Sequence, residues 1–283
     1  MFDELAHLML IVEHGTFTEA ARRAHLSQPA LSASIRRLEE TFGARLLDRG
    51  RGGARLTAAG RALLPRARAS LAALEDGRRA IAEVEGLRAG EVRLGAGTTA
   101  TTYLLPPILA RYRERHPGIR YLLREVGVDE AHEALARGEL DLAIVTADGH
   151  EPWFVDEFIL VAAPSTPKGI GPIVTLRPGT STRTLLDRHF PDADIVMELG
   201  SLSAVKGNVR AGIGTALISR HAVVNDLRER RLVRVRHPST PIRRPLMLAH
   251  RGEDHLPPAV AALRRLLLSP EGTRHLRRTK PAR

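Results

Sequence analysis

Two sets of side chains in this 283-residue sequence could do chemistry without a cofactor. The first is Gln28, Ser32, Ser34, Arg36 and Arg37, which read as the exposed side of a helix beginning just after Ser27. A Gln carboxamide can pair bidentately with adenine, Ser hydroxyls serve base edges or phosphates, and Arg binds either. The second set is three hydroxyl runs: Gly97-Thr98-Thr99-Ala100-Thr101-Thr102, Gly179-Thr180-Ser181-Thr182-Arg183 and Gly200-Ser201-Leu202-Ser203. Each opens a helix, where unpaired amides and the helix dipole suit a small carboxylate or oxyanion.

Charge favours the same two chemistries. The chain carries 43 Lys+Arg against 32 Asp+Glu, a formal net charge of +11. The excess is not spread evenly: residues 16–68 hold 11 arginines against Glu19, Glu39, Glu40 and Asp48, whereas residues 91–263 are nearly balanced. A basic head on a near-neutral body points to an anionic partner such as nucleic acid.

The elements that must position the first set follow from local signals. Phe2, Leu5, Leu8, Met9 and Val12 recur at helical spacing, and Gly15 stops that helix. Thr16 and Glu19 form a T-x-x-E capping box for a short second helix through Ala20, Ala21 and Ala24. Ser27 is an N-cap with Pro29 in the first turn, where its missing amide costs nothing. The third helix is expected to bury Leu31, Ile35, Leu38 and Phe42 and to end at Gly43. Two helices joined by a tight turn make a helix-turn-helix. Two short strands, 46–48 and 54–56, flank a glycine-rich tip and carry Arg49, Arg51 and Arg55, a wing suited to DNA backbone or minor groove.

The runs Phe17-Thr18-Glu19-Ala20-Ala21, Leu26-Ser27-Gln28-Pro29-Ala30-Leu31-Ser32 and Ile35-Arg36-Arg37-Leu38-Glu39 resemble the LysR-type transcriptional regulators. Phe42-Gly43, Leu46-Leu47-Asp48-Arg49 and Leu56-Thr57-Ala58-Ala59-Gly60 continue the likeness over about sixty residues. The resemblance implies that the third helix reads the major groove and that the wing touches flanking DNA. Carried onto this chain, Gln28, Pro29, Ser32 and Arg36 become candidate base or phosphate contacts, and Arg51 a wing contact. A basic residue often follows the matching Ser in that family; Ala33 stands there in this chain.

From Thr57 to Gly86 the sequence holds strong helix formers, with Gly60, Leu64, Ala67, Leu71, Leu74, Arg78 and Ile81 in a heptad-like stripe. This reads as a linker helix that dimerises, bent near Pro65. Beyond it, strand-like and helical segments alternate as β-α-β-α-β through residue 145, which argues for a parallel sheet. A second set of strands follows, then a returning strand over 244–250 and a last helix over 257–268.

The expected fold is α/β overall. A winged helix-turn-helix occupies 1–60, the linker helix 57–89, and a two-lobed effector domain 90–270, similar to periplasmic binding proteins as the family resemblance implies. Lobe 1 is placed at about 90–146 and 245–270, lobe 2 at about 147–244, and a basic surface tail at 271–283. The crevice between lobes is where strand ends and helix N-termini converge. The resemblance places Thr99, Thr101, Thr102, Thr146 and Ser201 on its walls as effector contacts. Expected partners are double-stranded promoter DNA, a small-molecule effector, further copies of the chain as homodimer or homotetramer, and RNA polymerase.

Several other chemistries lack support. There is no cysteine, and the 12 histidines show no H-x-x-x-H or H-E-x-x-H spacing, so neither thiolate nor metal chemistry is expected. Gly95-x-Gly97-x-x-Ala100 imitates a dinucleotide fingerprint, but a helix opening there would enclose Pro106 and Pro107. No G-x-S-x-G elbow is present around Gly179. No cofactor, metal or catalytic residue is assigned, and a cytoplasmic protein without a membrane span is expected. The alternative from another class is a small-molecule binding protein or enzyme whose helical head serves protein assembly.

Overall fold

The computed structural model describes residues 1–50, 53–84, 90–146, 149, 151–166 and 169–277. Two compact units emerge, one over Met1–Glu85 with Ala136–Glu139 and the other over Gly86–Leu135 with Leu140–Arg283. No helix among the described residues is long and apolar enough to cross a membrane.

The first unit contains α1 (Phe2–His14), α2 (Phe17–Arg23), α3 (Gln28–Phe42), β1 (Leu47–Gly50), β2 (Gly53–Leu56) and α4 (Ala58–Val84). In α1 the buried stripe is Leu5, Leu8 and Ile11, and Phe2 is 43% exposed, so the stripe is turned from the one expected. Thr16 Oγ1 accepts from the Glu19 amide at 3.3 Å, one half of a capping box. The other half does not form: the Glu19 carboxylate is occupied by Arg22 and Arg23. Ser27 Oγ accepts from the Ala30 amide and Gly43 closes α3 at φ 63. Leu31, Ile35 and Leu38 fill the core as expected, but Phe42, the last residue of α3, is 45% exposed.

The wing is seated by polar contacts. Glu39 Oε1 accepts from the Leu46 and Leu47 amides at 2.7 and 3.2 Å, tying α3 to the start of β1. β1 and β2 pair antiparallel from Leu47↔Leu56 to Gly50↔Gly53. The Ala54 amide donates to the Gly15 carbonyl at 2.8 Å, fixing β2 against the turn after α1. Gly53 has φ +103, and a Cβ there would lie 2.4 Å from that carbonyl oxygen, so only glycine fits without movement. Thr57 caps α4 through the Gly60 amide at 3.0 Å. Ala67 is buried in the helix-turn-helix core, whereas Arg78 and Ile81, farther along α4, are exposed.

The second unit runs β3 (Glu91–Ala96), α5 (Pro106–Arg115), β4 (Arg120–Glu125), α6 (Val128–Ala136), β5 (Leu142–Val145), β6 (Glu151–Ala162), β7 (Ile173–Leu176), α7 (Ser181–His189), β8 (Ile195–Leu199), α8 (Leu202–Arg210), β9 (Ala216–Ser219), α9 (Arg220–Arg228), β10 (Val233–Val235), β11 (Ile242–His250), α10 (Pro258–Leu268) and α11 (Pro270–Arg277). β3 pairs in parallel with β4 and β5, as the alternating pattern predicts. The sheet as a whole is mixed, because β11 lies antiparallel between β5 and β6, and β9 and β10 lie antiparallel on β6. β7 and β8 form a separate parallel pair.

Two separate apolar cores flank the cleft described below. One gathers Leu94, Leu104, Ile108, Tyr112, Leu248 and Leu263; the other gathers Val161, Val174, Val205, Ile218 and Val223. The chain passes between them along β6 and β11, which pair from Ile242↔Phe158 to Leu248↔Glu151. The helix after β3 opens as a π-turn over Ala100–Leu104, and Pro106 then starts α5, where a missing amide is harmless. The basic tail is not free surface over its first part: α11 buries Thr273 and Leu276, and Glu271 pairs with Arg115 at 2.5 Å. Residues 278–283 lie outside the described structure.

Candidate DNA-binding face and effector cleft

On the head, Gln28, Pro29, Arg36 and Arg37 are exposed on α3, and Arg55 is exposed on β2. Ser32 and Ser34 depart from expectation: they are 4% and 2% exposed, not on the open side of the helix. Ser34 Oγ is hydrogen-bonded to His7 Nδ1 of α1 at 2.7 Å, so it packs between helices. Ser32 Oγ accepts from Gln28 Nε2 at 3.1 Å, one turn earlier on the same helix. Ser32 therefore holds Gln28, whose carboxamide oxygen and second N–H stay available for a base edge. Arg37 is partly drawn to Glu4 at 3.3 Å. Arg51 and the side chain of Arg49 lie outside the described residues.

Within the second unit a cleft of about 720 Å³ opens at the C-terminal ends of β3, β4 and β5. Its walls include Gly97, Thr98, Thr99, Glu125, Asp129, Thr146, Arg177, Thr180, Ser181, Thr182, Arg188, Arg243 and Arg244. Two of the five expected effector residues, Thr99 and Thr146, lie on these walls. Thr101, Thr102 and Ser201 do not. The Thr101 hydroxyl turns back to the Thr98 carbonyl at 3.0 Å, satisfying its own helix turn. Thr102 comes one residue later and faces solvent. Ser201 Oγ caps α8 through the Ala204 amide at 3.2 Å, and it is the next residue, Leu202, that lines the cleft. Trp153 is core, its indole N–H donating to the Leu267 carbonyl at 3.1 Å, and does not cover the cleft.

The residue that sequence reasoning missed is Arg244. It stands directly opposite Asp156 in the antiparallel register of β6 and β11. Its Nη2 donates to Asp156 Oδ2 at 3.0 Å, its Nη1 donates to Ser181 Oγ at 3.1 Å, and its guanidinium lies 4.3 Å from the Phe158 ring centroid. Asp156, fully buried, also accepts from Ser219 Oγ at 2.7 Å. Burial pushes the Asp156 carboxyl up against the pull of Arg244, and burial likewise draws Arg244 down. Arg244 starts so far above neutrality that it stays protonated. β6 also carries Glu151 and Glu157, and β11 also carries Arg243 and His250, so no isolated charge marks Asp156 or Arg244 in the sequence. Nothing in the linear order pairs them.

On the facing wall, Thr98 Oγ1 donates to Glu125 Oε1, so the threonine-rich turn is already bonded to a carboxylate. Asp129 begins the helical side of the same wall, and Glu130 beside it pairs with Arg124 at 3.2 Å.

Comparison with known proteins covers both units. The model of the bacterial regulatory helix-turn-helix protein, lysR family, matches residues 2–61, and that of the LysR substrate binding domain matches residues 85–269. The HTH-type transcriptional regulator YeiE of Escherichia coli K12 is 32% identical over 282 residues, covering 91% of this chain and 92% of that protein. A full-length, singly substituted OxyR of Pseudomonas aeruginosa shares the fold with a TM-score of 0.66 at 21% identity, covering 94% of this chain and 95% of that one. DarR of Vibrio fischeri, solved in complex with DNA, has a TM-score of 0.55 at 20% identity, covering 95% of this chain and 98% of that one. The matches run through head and body together, which leaves the reading of the head as an assembly module without support.

Proposed function

The chain belongs to the LysR-type transcriptional regulators, DNA-binding proteins with an effector-binding body, and from that premise we propose that it answers to a small anionic metabolite held in the cleft of its second unit. The observation that carries this reading is the concentration of Arg177, Arg188, Arg243 and Arg244 on one wall of that cleft. Arg244 is already paired with the buried Asp156, and Arg243 is 77% exposed and leans toward Glu157 at 3.8 Å, so the positive potential offered to an anion in this concave space comes chiefly from Arg177 and Arg188. Thr99 and Thr146 supply hydroxyls to the same space. Binding there would favour one relation of the two apolar cores, joined by β6 and β11, and so bias how the head sits on DNA.

On DNA, Gln28 reads a base edge, Pro29 makes an apolar contact beside it, and Arg36 and Arg51 bind phosphates. Ser32 contributes through Gln28. Ile81, 61% exposed on α4, fits a helix that pairs with another copy of the chain. No step in this reading requires a catalytic residue.

The test begins with a thermal-shift screen of small acids on the full chain, followed by calorimetry on the ligand found. Thr99→Val keeps the shape of the wall and removes one hydroxyl from a residue only 6% exposed, so affinity should fall about 2- to 12-fold for a hydrogen bond of ordinary net strength. Operator binding without ligand should be unchanged. A ligand bound equally well by the variant, or a screen in which neutral compounds alone stabilise the protein, would refute the assignment.

A further inference from the structure

The turn that carries Thr99 reaches both apolar cores. It leaves β3 at Gly97, whose carbonyl accepts from the Ala100 and Thr101 amides at 2.9 and 3.1 Å. It closes with the Leu105 amide on the Ala100 carbonyl at 2.9 Å, the wide spacing of a π-turn, which recurs at functional sites. Gly97, Thr98, Thr99 and Ala100 face the cleft. Leu104 and Leu105, fully buried, belong to the first core. The half-buried ring of Tyr103 packs instead against the second core. Successive residues of a helical turn point about 100° apart, so neighbours in the chain can serve different cores.

We propose that Tyr103 is a positioning residue that ties the Thr99 wall of the cleft to the second core, so that the setting of that wall and the packing of α8 and α9 are coupled. This deepens the functional reading above and rests on it only in taking the cleft as the effector site.

Lys206 of α8 fixes the far side of the tie. Its Nζ lies 5.5 Å from the Tyr103 ring centroid, within range of a cation–π contact. The same ammonium donates to the Ala222 carbonyl of α9 at 2.7 Å and pairs with the buried Asp226 at 3.0 Å. Three partners on one ammonium leave Lys206 little freedom to move away from the ring. The π-turn also touches α9 directly. Leu202, one helical turn before Lys206 and on the same side of α8, lines the cleft. The ring therefore stands where the cleft wall, α8 and α9 come together.

The near side is fixed as well. His275 Nε2 of α11 lies 3.2 Å from the Leu104 carbonyl oxygen, which can only accept, so the ring nitrogen donates. With Leu104 and Leu105 buried and Leu104 bonded, a ligand that draws Thr99 inward moves Tyr103 against α8 and α9. A change in how the second core sits re-aims Thr99 in return, and such coupling is reciprocal. Packed side chains of this kind shift between discrete arrangements and do not deform smoothly.

Amide hydrogen exchange on the full chain, without ligand, reads the tie, because protection falls as local opening becomes easier. The Ala100, Thr101 and Leu105 amides report the turn, and those of β5 and β9 report the sheet on either side. Tyr103→Ala removes a half-buried ring and should speed exchange in the turn about 4- to 12-fold. Lys206→Met changes only the second core, keeps an unbranched apolar side chain there and leaves Asp226 to Arg210 and Arg231. It should still speed exchange in the turn about 2- to 5-fold, the range of a partly exposed cation–π contact. Tyr103→Phe keeps the ring and should exchange as wild type. In a Tyr103→Ala background Lys206→Met should add nothing at the turn. Should Tyr103→Ala not fold, Lys206→Met and Tyr103→Phe decide the matter. The proposal is overturned if Lys206→Met leaves the turn as in wild type, if its effect persists without the ring, or if Tyr103→Phe loosens the turn. It is overturned too if Tyr103→Ala speeds exchange in β5 and β9 as much as in the turn, the mark of a residue that only stabilises. A ligand screen that returns no acid would refute the functional reading without touching this measurement.

Discussion

Replacing Gln28 by Ala isolates the base-reading step. In the free protein the carboxamide is held by one bond, Nε2 to Ser32 Oγ at 3.1 Å, and the residue is otherwise exposed. A bidentate pair with adenine discriminates by about 1–3 kcal/mol, so the variant should lose about 5- to 150-fold at its cognate site. Ser32 tests how that group is held. The residue is 4% exposed and its hydroxyl is bonded to Gln28, so Ser32→Ala frees the carboxamide without stranding a buried donor. Re-ordering one side chain on DNA costs about 0.5–1.5 kcal/mol, which predicts a further loss of about 2- to 12-fold. In a Gln28→Ala background the Ser32 substitution should then cost nothing, because its effect passes through a group that is gone. The assay is fluorescence anisotropy on a duplex selected from a random pool and on its scrambled counterpart, across a salt series. Neither variant should change the salt slope, which reports phosphates neutralised. Equal losses on both duplexes would refute base reading by Gln28. A Ser32→Ala loss that persists without Gln28 would refute the holding role.

Three further outcomes follow from packing and charge. Gly53→Ala places a Cβ 2.4 Å from the Gly15 oxygen at φ +103, so the wing should shift and the melting curve of the head should report a loss of about 1–3 kcal/mol; an unchanged melt would disprove the seating. Glu39→Ala strands the Leu46 and Leu47 amides and should lower operator affinity by loosening the wing while a circular dichroism spectrum keeps its helix content; wild-type affinity would count against it. Burial pushes the Asp226 carboxyl up, but Lys206 at 3.0 Å and Arg210 outweigh it and hold the group below the ordinary Asp value. A depressed carboxyl adds stability above its unfolded value, near pH ~4, and that stability disappears as pH falls through the folded value. Asp226→Asn should therefore flatten the acid limb of a stability-against-pH curve, and an identical limb in both proteins would contradict the network.

Much of the head was legible because its signals are local. Ser27, Pro29 and Gly43 act on amides and dihedrals within a few residues of themselves, so the limits of α3 follow from short-range chemistry. The basic excess over residues 16–68 and the ordered motifs from Phe17 to Gly60 needed no tertiary information either. Which stripe of a helix becomes core is different, because a single amphipathic helix does not say how far its neighbours extend. Phe2 and Phe42 carry the right spacing yet end up exposed, and Ser34 carries a polar group yet is buried against His7.

The cleft shows the same division more sharply. Hydroxyl runs at helix starts mark where an anion could bind, since the dipole and open amides belong to the helix itself. Whether each hydroxyl faces the cleft or caps its own turn depends on rotation about the helix axis, which packing sets; Thr99 faces it, and Thr101 and Ser201 do not. Asp156 and Arg244 stand 88 residues apart in the chain. Only the antiparallel register of β6 and β11 places them opposite one another, and only the packing of α7 brings Ser181 to the same guanidinium. The sequence determined the kinds of group and the local caps that present them. The tertiary structure decided which groups meet, because strand pairing and helix rotation are fixed by burial of distant apolar faces and not by neighbours along the chain.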